Sequence, residues 1–201
     1  MKIGIITIHY SFITCNYGSL MQLYAMQQVL AGMSVQSALV KQLPRPLPVP
    51  PPPTARQKLN YYCRHPWSFL SRCARSLKPE RRVPRKTPSF ESFIEQEIHA
   101  LSPIFLPGEL NAQELDFDAY LAGSDQIRTS CEPEKLLDFA PAGKRIAYAA
   151  SAAWGKQPPE WYALAQREFP KFSAISVREK HGVEICRKAG AETVEVVLDP
   201  T

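Results

Sequence analysis

Gly123-Ser124-Asp125-Gln126 sets a hydroxyl, a carboxylate and an amide side by side, directly behind the short apolar run at 117–122. A run of that length reads as a strand buried on both faces. Gly123 permits a sharp turn at its end, so the three polar side chains fall just beyond the carboxyl end of the strand. In open α/β sheets that edge is where ligands bind. The competing account is that Ser124 or Asp125 caps a following helix.

Other candidate strands end in the same way, and the case rests on the turns sharing one edge. The first strand delivers His9, Asn16, Tyr17, Gly18 and Ser19, a later one Ser151, and the following pair Arg178 with Glu179, and Asp199. A glycine-bearing turn at a helix N-terminus offers backbone N–H groups suited to an anion or a sugar hydroxyl. Each residue also has a structural account. Asn16 fits an N-cap, Arg178 a surface ion pair, and His9 a histidine packed under the first loop. Ser176-x-x-Glu179 fits a capping box. No Ser/His/Asp or Cys/His arrangement is defensible from spacing alone. The dinucleotide and P-loop glycine motifs are both absent.

The elements that must position these residues alternate. Residues 2–8 form a β-branched strand, and Asn16-Tyr17-Gly18-Ser19 opens a helix carrying Leu20, Leu23, Tyr24, Met26 and Leu30 at helical spacing. A second strand comes next at 35–40, which makes a βαβ unit and predicts a parallel sheet. After 117–122 come a strand at 145–150, a helix begun by Pro158-Pro159-Glu160, a strand at 174–177, a helix at 179–189 and a strand at 194–198. The fold class is therefore α/β, a Rossmann-like parallel sheet flanked by helices. The domain reading is one domain over 1–201 with a Pro-rich and basic insertion at 41–100.

Within that insertion, proline at 44, 46, 48, 50, 51, 52 and 53 dictates an extended, exposed stretch, a stiff spacer or a site for a proline-recognition domain. Residues 41–90 hold 12 Lys and Arg against the single acid Glu80, whereas the rest of the chain holds 12 basic and 18 acidic residues. Tyr61, Tyr62, Trp67, Phe69 and Leu70 read as an apolar helical face among the arginines. Phe90, Phe93, Ile94 and Ile98 read as a short amphipathic helix. Such a basic, aromatic surface suits peripheral contact with an anionic membrane. No nucleic-acid recognition module is visible. Five cysteines without C-x-x-C favour free thiols in a cytoplasmic setting and argue against a zinc site, and no metal is expected. The start of the chain lacks a signal-peptide pattern, and no apolar run has membrane-spanning length.

Taken in order, IGIITIHYS, NYGSLMQLYAMQQVL, DFDAYLAGSDQ, DFAPAGKRIAYAAS, FSAISVREKHGVEI and VEVVLDPT closely resemble the polysaccharide pyruvyl transferase family. The resemblance covers residues 2–40 and 115–201. It implies an enzyme of two Rossmann-like domains, similar to GT-B glycosyltransferases, that moves the pyruvyl group of phosphoenolpyruvate onto a sugar as a ketal for cell-surface polysaccharide. Phosphoenolpyruvate is then the donor substrate and no cofactor is implied. The partner is a saccharide or lipid-linked saccharide acceptor. The setting is cytoplasmic, at the inner face of the membrane.

By that resemblance the N-terminal half faces the acceptor. The substrate-binding set becomes His9, Asn16, Tyr17, Gly18, Ser19, Gly123, Ser124, Asp125, Gln126, Ser151 and Arg178, with Asp125 the candidate catalytic group, placed to accept a hydroxyl proton or to orient the sugar. Ile127-Arg128-Thr129 stands where the family carries a small apolar residue, Trp and Asn, which removes an aromatic stacking surface. The family runs on past Asp199-Pro200-Thr201 into a second, donor-binding domain. The expectation is thus an acceptor-side half, inactive alone, completed by a C-terminal domain or a partner subunit. The alternative is a non-catalytic saccharide-binding or assembly module.

Overall fold

A computed structural model describes residues 1–8, 16–43, 54–64, 67, 88–100, 104–124, 131–151 and 157–201. In chain order these form β1 (Lys2–Ile6), α1 (Tyr17–Gly32), β2 (Gln36–Leu39), α2 (Ala55–Arg64), α3 (Pro88–Glu97), α4 (Ala112–Leu115) and β3 (Ala119–Gly123). Next come β4 (Arg145–Tyr148), α5 (Pro159–Glu168), β5 (Phe172–Val177), α6 (Lys180–Lys188) and β6 (Glu195–Val196). The six strands make one parallel sheet in the order β2-β1-β3-β4-β5-β6, the α/β fold expected from the alternation. The chain leaves β1 toward β2 on one side and β3 toward β4 on the other. The gap between β1 and β3 is therefore the topological switch point of the sheet.

Two compact units result: Met1–Arg45 with Lys86–Thr201, and Pro46–Arg85. The first contains the whole sheet. Its central strands β1 and β3 are buried on both faces because successive side chains alternate between two cores. Ile3, Ile5 and Leu121 pack with Leu20, Leu23, Met26 and Leu30 of α1 and with Phe90 and Ile98. Ile6, Tyr120, Ala122, Ala147, Ile175 and Val177 pack with Trp161 and Ala165 of α5 and Cys186 of α6 on the other face. Leu20 and Leu23 are each 1% exposed, which at about 1.5–3 kcal/mol per buried leucine fixes α1 against the sheet.

Helix α1 starts where its cap allows. Asn16 is extended, and its side-chain oxygen accepts the Ser19 N–H at 3.3 Å. The helix also buries two glutamines. Gln27 clamps the backbone of His99, donating to its carbonyl at 2.7 Å and accepting its N–H at 3.1 Å. That clamp holds residue 99 beside β2, where Leu39 N–H donates to the His99 carbonyl at 2.8 Å.

At the start of β4 lies a buried charge cluster. Arg145 donates to Glu168 at 2.6 Å and to the carbonyls of Ala140 and Asp138. Glu168, at the end of α5, also takes Arg167 and Lys171. This cluster knits β4 to the crossover helix behind it.

Two local expectations change. Ser176 does not cap α6: it lies within β5, its hydroxyl donates to the Ala147 carbonyl and accepts the Ala149 N–H, both at 3.1 Å, so it tethers β4 to β5. Glu179 is the N-cap residue of α6 but makes no side-chain capping bond. In the Pro46–Arg85 unit, α2 ends at Arg64, and the side chains of Tyr61 and Trp67 are exposed. Phe69, Leu70 and the proline run at 44–53 lie outside the described residues. Among the described residues no helix is long and apolar enough to cross a membrane.

Candidate functional site

Behind β1, the side chains of Thr7 and Gln22 meet the turn that leaves β3. Gln22 sits on α1, one turn after Ser19, and is 5% exposed. Its amide nitrogen donates to Thr7 Oγ1 at 2.9 Å and to the Ser19 carbonyl at 3.2 Å. Its amide oxygen accepts the Ser124 backbone N–H at 3.0 Å. One buried glutamine thus pins the turn after β3 to the first helix, across the switch point. Ser124 is buried, and Gln22 supplies its N–H with an acceptor.

The contacts continue through Ser124. Its hydroxyl lies 3.0 Å from Gln22 Oε1 and 2.9 Å from Asp199 Oδ2. It has one hydrogen, and the carboxylate is the stronger acceptor. Asp199 Oδ2 also accepts from Arg178 at 2.9 Å, while its Oδ1 takes the backbone N–H and hydroxyl of Thr201. Four donors occupy the four lone-pair positions of Asp199, so it is a fixed anchor. Burial works against its charge, but the hydrogen bonds from Thr201, Arg178 and Ser124 outweigh it and hold its pKa below the ordinary carboxylate range.

Arg178 is shared. Its Nε donates to Glu179 Oε1 at 2.8 Å, and the same oxygen accepts the Ser151 hydroxyl at 2.7 Å. Burial pulls against the guanidinium, yet the two carboxylates keep it more firmly protonated than a free arginine. The result is an unbroken run of polar contacts from Thr7 through Gln22, Ser124, Asp199, Arg178 and Glu179 to Ser151. It tracks the carboxyl edge of the sheet from β1 to β6. Ser124 and Ser151 lie beneath it, 0% and 1% exposed, while the side chains of Arg178, Glu179 and Asp199 are 32%, 28% and 22% exposed. The buried serines hold the network, and the charged side chains are partly exposed.

Of the residues singled out from sequence, Ser124, Ser151 and Arg178 are brought together in this run. Gly123 positions it: its φ is +148°, and a Cβ there would stand 2.0 Å from the Tyr148 carbonyl oxygen of the paired strand. Asn16 is the α1 N-cap, and Ser19 is buried with its hydroxyl on the Asn16 carbonyl. Tyr17 is exposed and stands edge-on to Phe90 at 4.9 Å. Gly18 is also exposed and has room for a methyl group, the nearest atom to a Cβ being Asn16 Oδ1 at 3.5 Å. His9, Asp125 and Gln126 lie outside the described residues. Gln22 was not legible as a site residue, because a glutamine between Leu20 and Leu23 reads as an ordinary polar helix position. Among the described residues no three His, Cys, Asp or Glu are grouped to hold a metal ion.

A parallel α/β sheet with flanking helices, whose hydroxyl, carboxylate and guanidinium groups gather at the carboxyl edge around the switch point, defines the doubly wound α/β class. The chain belongs to the polysaccharide pyruvyl transferase family, whose family model matches residues 16–201. No curated protein and no solved structure matches it.

Proposed function

We propose that this chain serves pyruvyl transfer from phosphoenolpyruvate to a saccharide, and that its sheet edge is the acceptor side of that reaction. The observation that carries this reading is the charge and chemistry of the edge. Among the described residues one guanidinium faces two carboxylates there, a net of about one negative charge, and the guanidinium is already engaged by both. Phosphoenolpyruvate brings a phosphate and a carboxylate of its own, and like charges at close range repel. A saccharide brings hydroxyls, which donate to carboxylates and accept from arginine. The edge therefore favours the sugar over the donor, and the cations that hold the donor belong elsewhere in the reacting assembly.

Calorimetric titration of the protein with a panel of methyl hexopyranosides, and separately with phosphoenolpyruvate, tests this. Measurable affinity is expected for at least one glycoside. Asp199→Asn is expected to weaken it roughly tenfold, since removing the charge loosens Arg178 by about 1.5 kcal/mol. Binding of phosphoenolpyruvate at this edge, weakened by Arg178→Met while no glycoside binds, would reverse the assignment.

A further inference from the structure

We infer that Glu179 is a docking point for an acceptor hydroxyl, the hydroxyl donating to its Oε2; this rests on the acceptor reading above. The geometry is specific to this side chain. Glu179 opens α6 with extended backbone (φ −117°, ψ 139°), where a carboxylate would ordinarily turn back to cap the helix. It is instead turned away and held on one oxygen. Oε1 receives the Ser151 hydroxyl at 2.7 Å and Arg178 Nε at 2.8 Å. Those donors come from two different strand ends, so the carboxyl cannot swing without giving up both bonds.

The other oxygen has been left open. Oε2 is buried and has no hydrogen-bond partner among the described residues. A buried carboxylate oxygen without a donor is a costly arrangement, and each such case in a folded protein asks for an explanation. A packing role does not supply one, because the bonds from the Ser151 hydroxyl and Arg178 Nε both fall on Oε1. Asp199, the other carboxylate of the run, shows the contrast: both of its oxygens are filled by protein donors. Two carboxylates flank one arginine, and only one of them offers lone pairs to a ligand. A neutral O–H donor suits that oxygen better than an anion, which would be repelled, or an apolar group, which would leave it unsatisfied.

The experiment compares the full chain with Glu179→Gln and Glu179→Asp, using the tightest-binding methyl hexopyranoside and its singly deoxygenated analogues as probes. Glu179→Gln keeps the shape and a carbonyl oxygen for Ser151 and Arg178, so its melting temperature is expected to stay close to that of the parent. Affinity for the glycoside is expected to fall roughly tenfold in Glu179→Gln, as a charge-assisted bond is exchanged for a neutral one. One deoxy analogue is expected to bind the parent more weakly by a similar factor yet lose nothing further in Glu179→Gln, since both changes remove the same contact. Glu179→Asp retains the charge but withdraws it by one methylene, and is expected to bind weakly as well. If the glycoside binds the parent and Glu179→Gln equally, the assignment to Glu179 fails while the acceptor reading stands. If deoxygenation and Glu179→Gln are additive at every hydroxyl, Glu179 acts only through structure and the assignment again fails. If the parent binds no glycoside, the acceptor reading falls and takes this assignment with it.

Discussion

Glu168→Ala is expected to destabilise the fold by about 3–5 kcal/mol, the largest effect of any single charge removal in the described residues. The side chain is 2% exposed and holds Arg145, which is itself 4% exposed. Taking the carboxylate away leaves a guanidinium in the interior with only the carbonyls of Ala140 and Asp138 as partners. Arg167 also touches Glu168, at 2.7 Å, but its side chain is 64% exposed. Arg167→Ala is therefore expected to leave the melting temperature close to that of the parent, since exposed pairs contribute little. Thermal melts separate the two: at about 2–4 °C per kcal/mol for a chain of this size, Glu168→Ala should melt roughly 6–20 °C lower.

The same carboxylate sets an acid limit. Burial opposes its charge, but hydrogen bonds from Arg167, Lys171 and Arg145 outweigh burial and bring its pKa to about 2. In the unfolded chain a glutamate titrates near ~4.3. A depressed folded pKa means that the contribution is fully present above the unfolded value and is lost as pH falls toward about 2. The depressed Asp199 carboxyl acts in the same direction. Denaturation followed from pH 6 down to pH 2 should show stability falling below about pH 4.5. Glu168→Ala should show a shallower fall. Equal slopes would mean that the cluster is not the acid-sensitive element.

Gly123→Ala is the second large expectation. Its Cβ would lie 2.0 Å from the Tyr148 carbonyl oxygen and 3.0 Å from its carbon, at a φ of +148° that side chains rarely adopt. The obstacle is the backbone of the paired strand, so no rotamer change relieves it, and β3 must part from β4 where Ser124 begins. A loss of at least about 3 kcal/mol is expected, with glycoside binding abolished in whatever protein still folds. Gly18→Ala is the matched comparison. With its nearest neighbour at 3.5 Å in the first turn of α1, it should be neutral or stabilising by up to about 1 kcal/mol. Chemical denaturation of both variants checks the pair, and similar midpoints would contradict the geometry at Gly123.

Much of the fold was legible because it is written in local signals. Buried parallel strands read as continuous apolar runs, Leu20, Leu23, Met26 and Leu30 recur at helical spacing, Asn16 caps, and Pro159 opens α5. The carboxyl-edge position of Ser124, Ser151, Arg178, Glu179 and Asp199 was legible for the same reason, since strand ends are local. What joins those residues was not. The Ser124–Gln22 contacts span 102 positions and the Ser124–Asp199 contact 75, and nothing in either neighbourhood announces its partner. Ser176-x-x-Glu179 shows how a local motif misleads. The same four residues satisfy a capping box, but the Ala147 carbonyl and the Ala149 N–H compete for Ser176 and win. The Arg145–Glu168 pair, 23 residues apart, was likewise invisible among ordinary surface charges.

The central claim is that the run from Gln22 to Ser151 receives the acceptor saccharide. Backbone amide shifts of the nitrogen-15-labelled chain, recorded while a binding methyl hexopyranoside is added, test it most directly. The largest changes are expected at Ser124, Ser151, Arg178, Glu179 and Thr201, whose amides sit on or beside the network. Phosphoenolpyruvate at the same concentration should leave these signals in place. Shifts confined to residues away from the carboxyl edge, or displacement of the glycoside from that edge by phosphoenolpyruvate, would contradict the account.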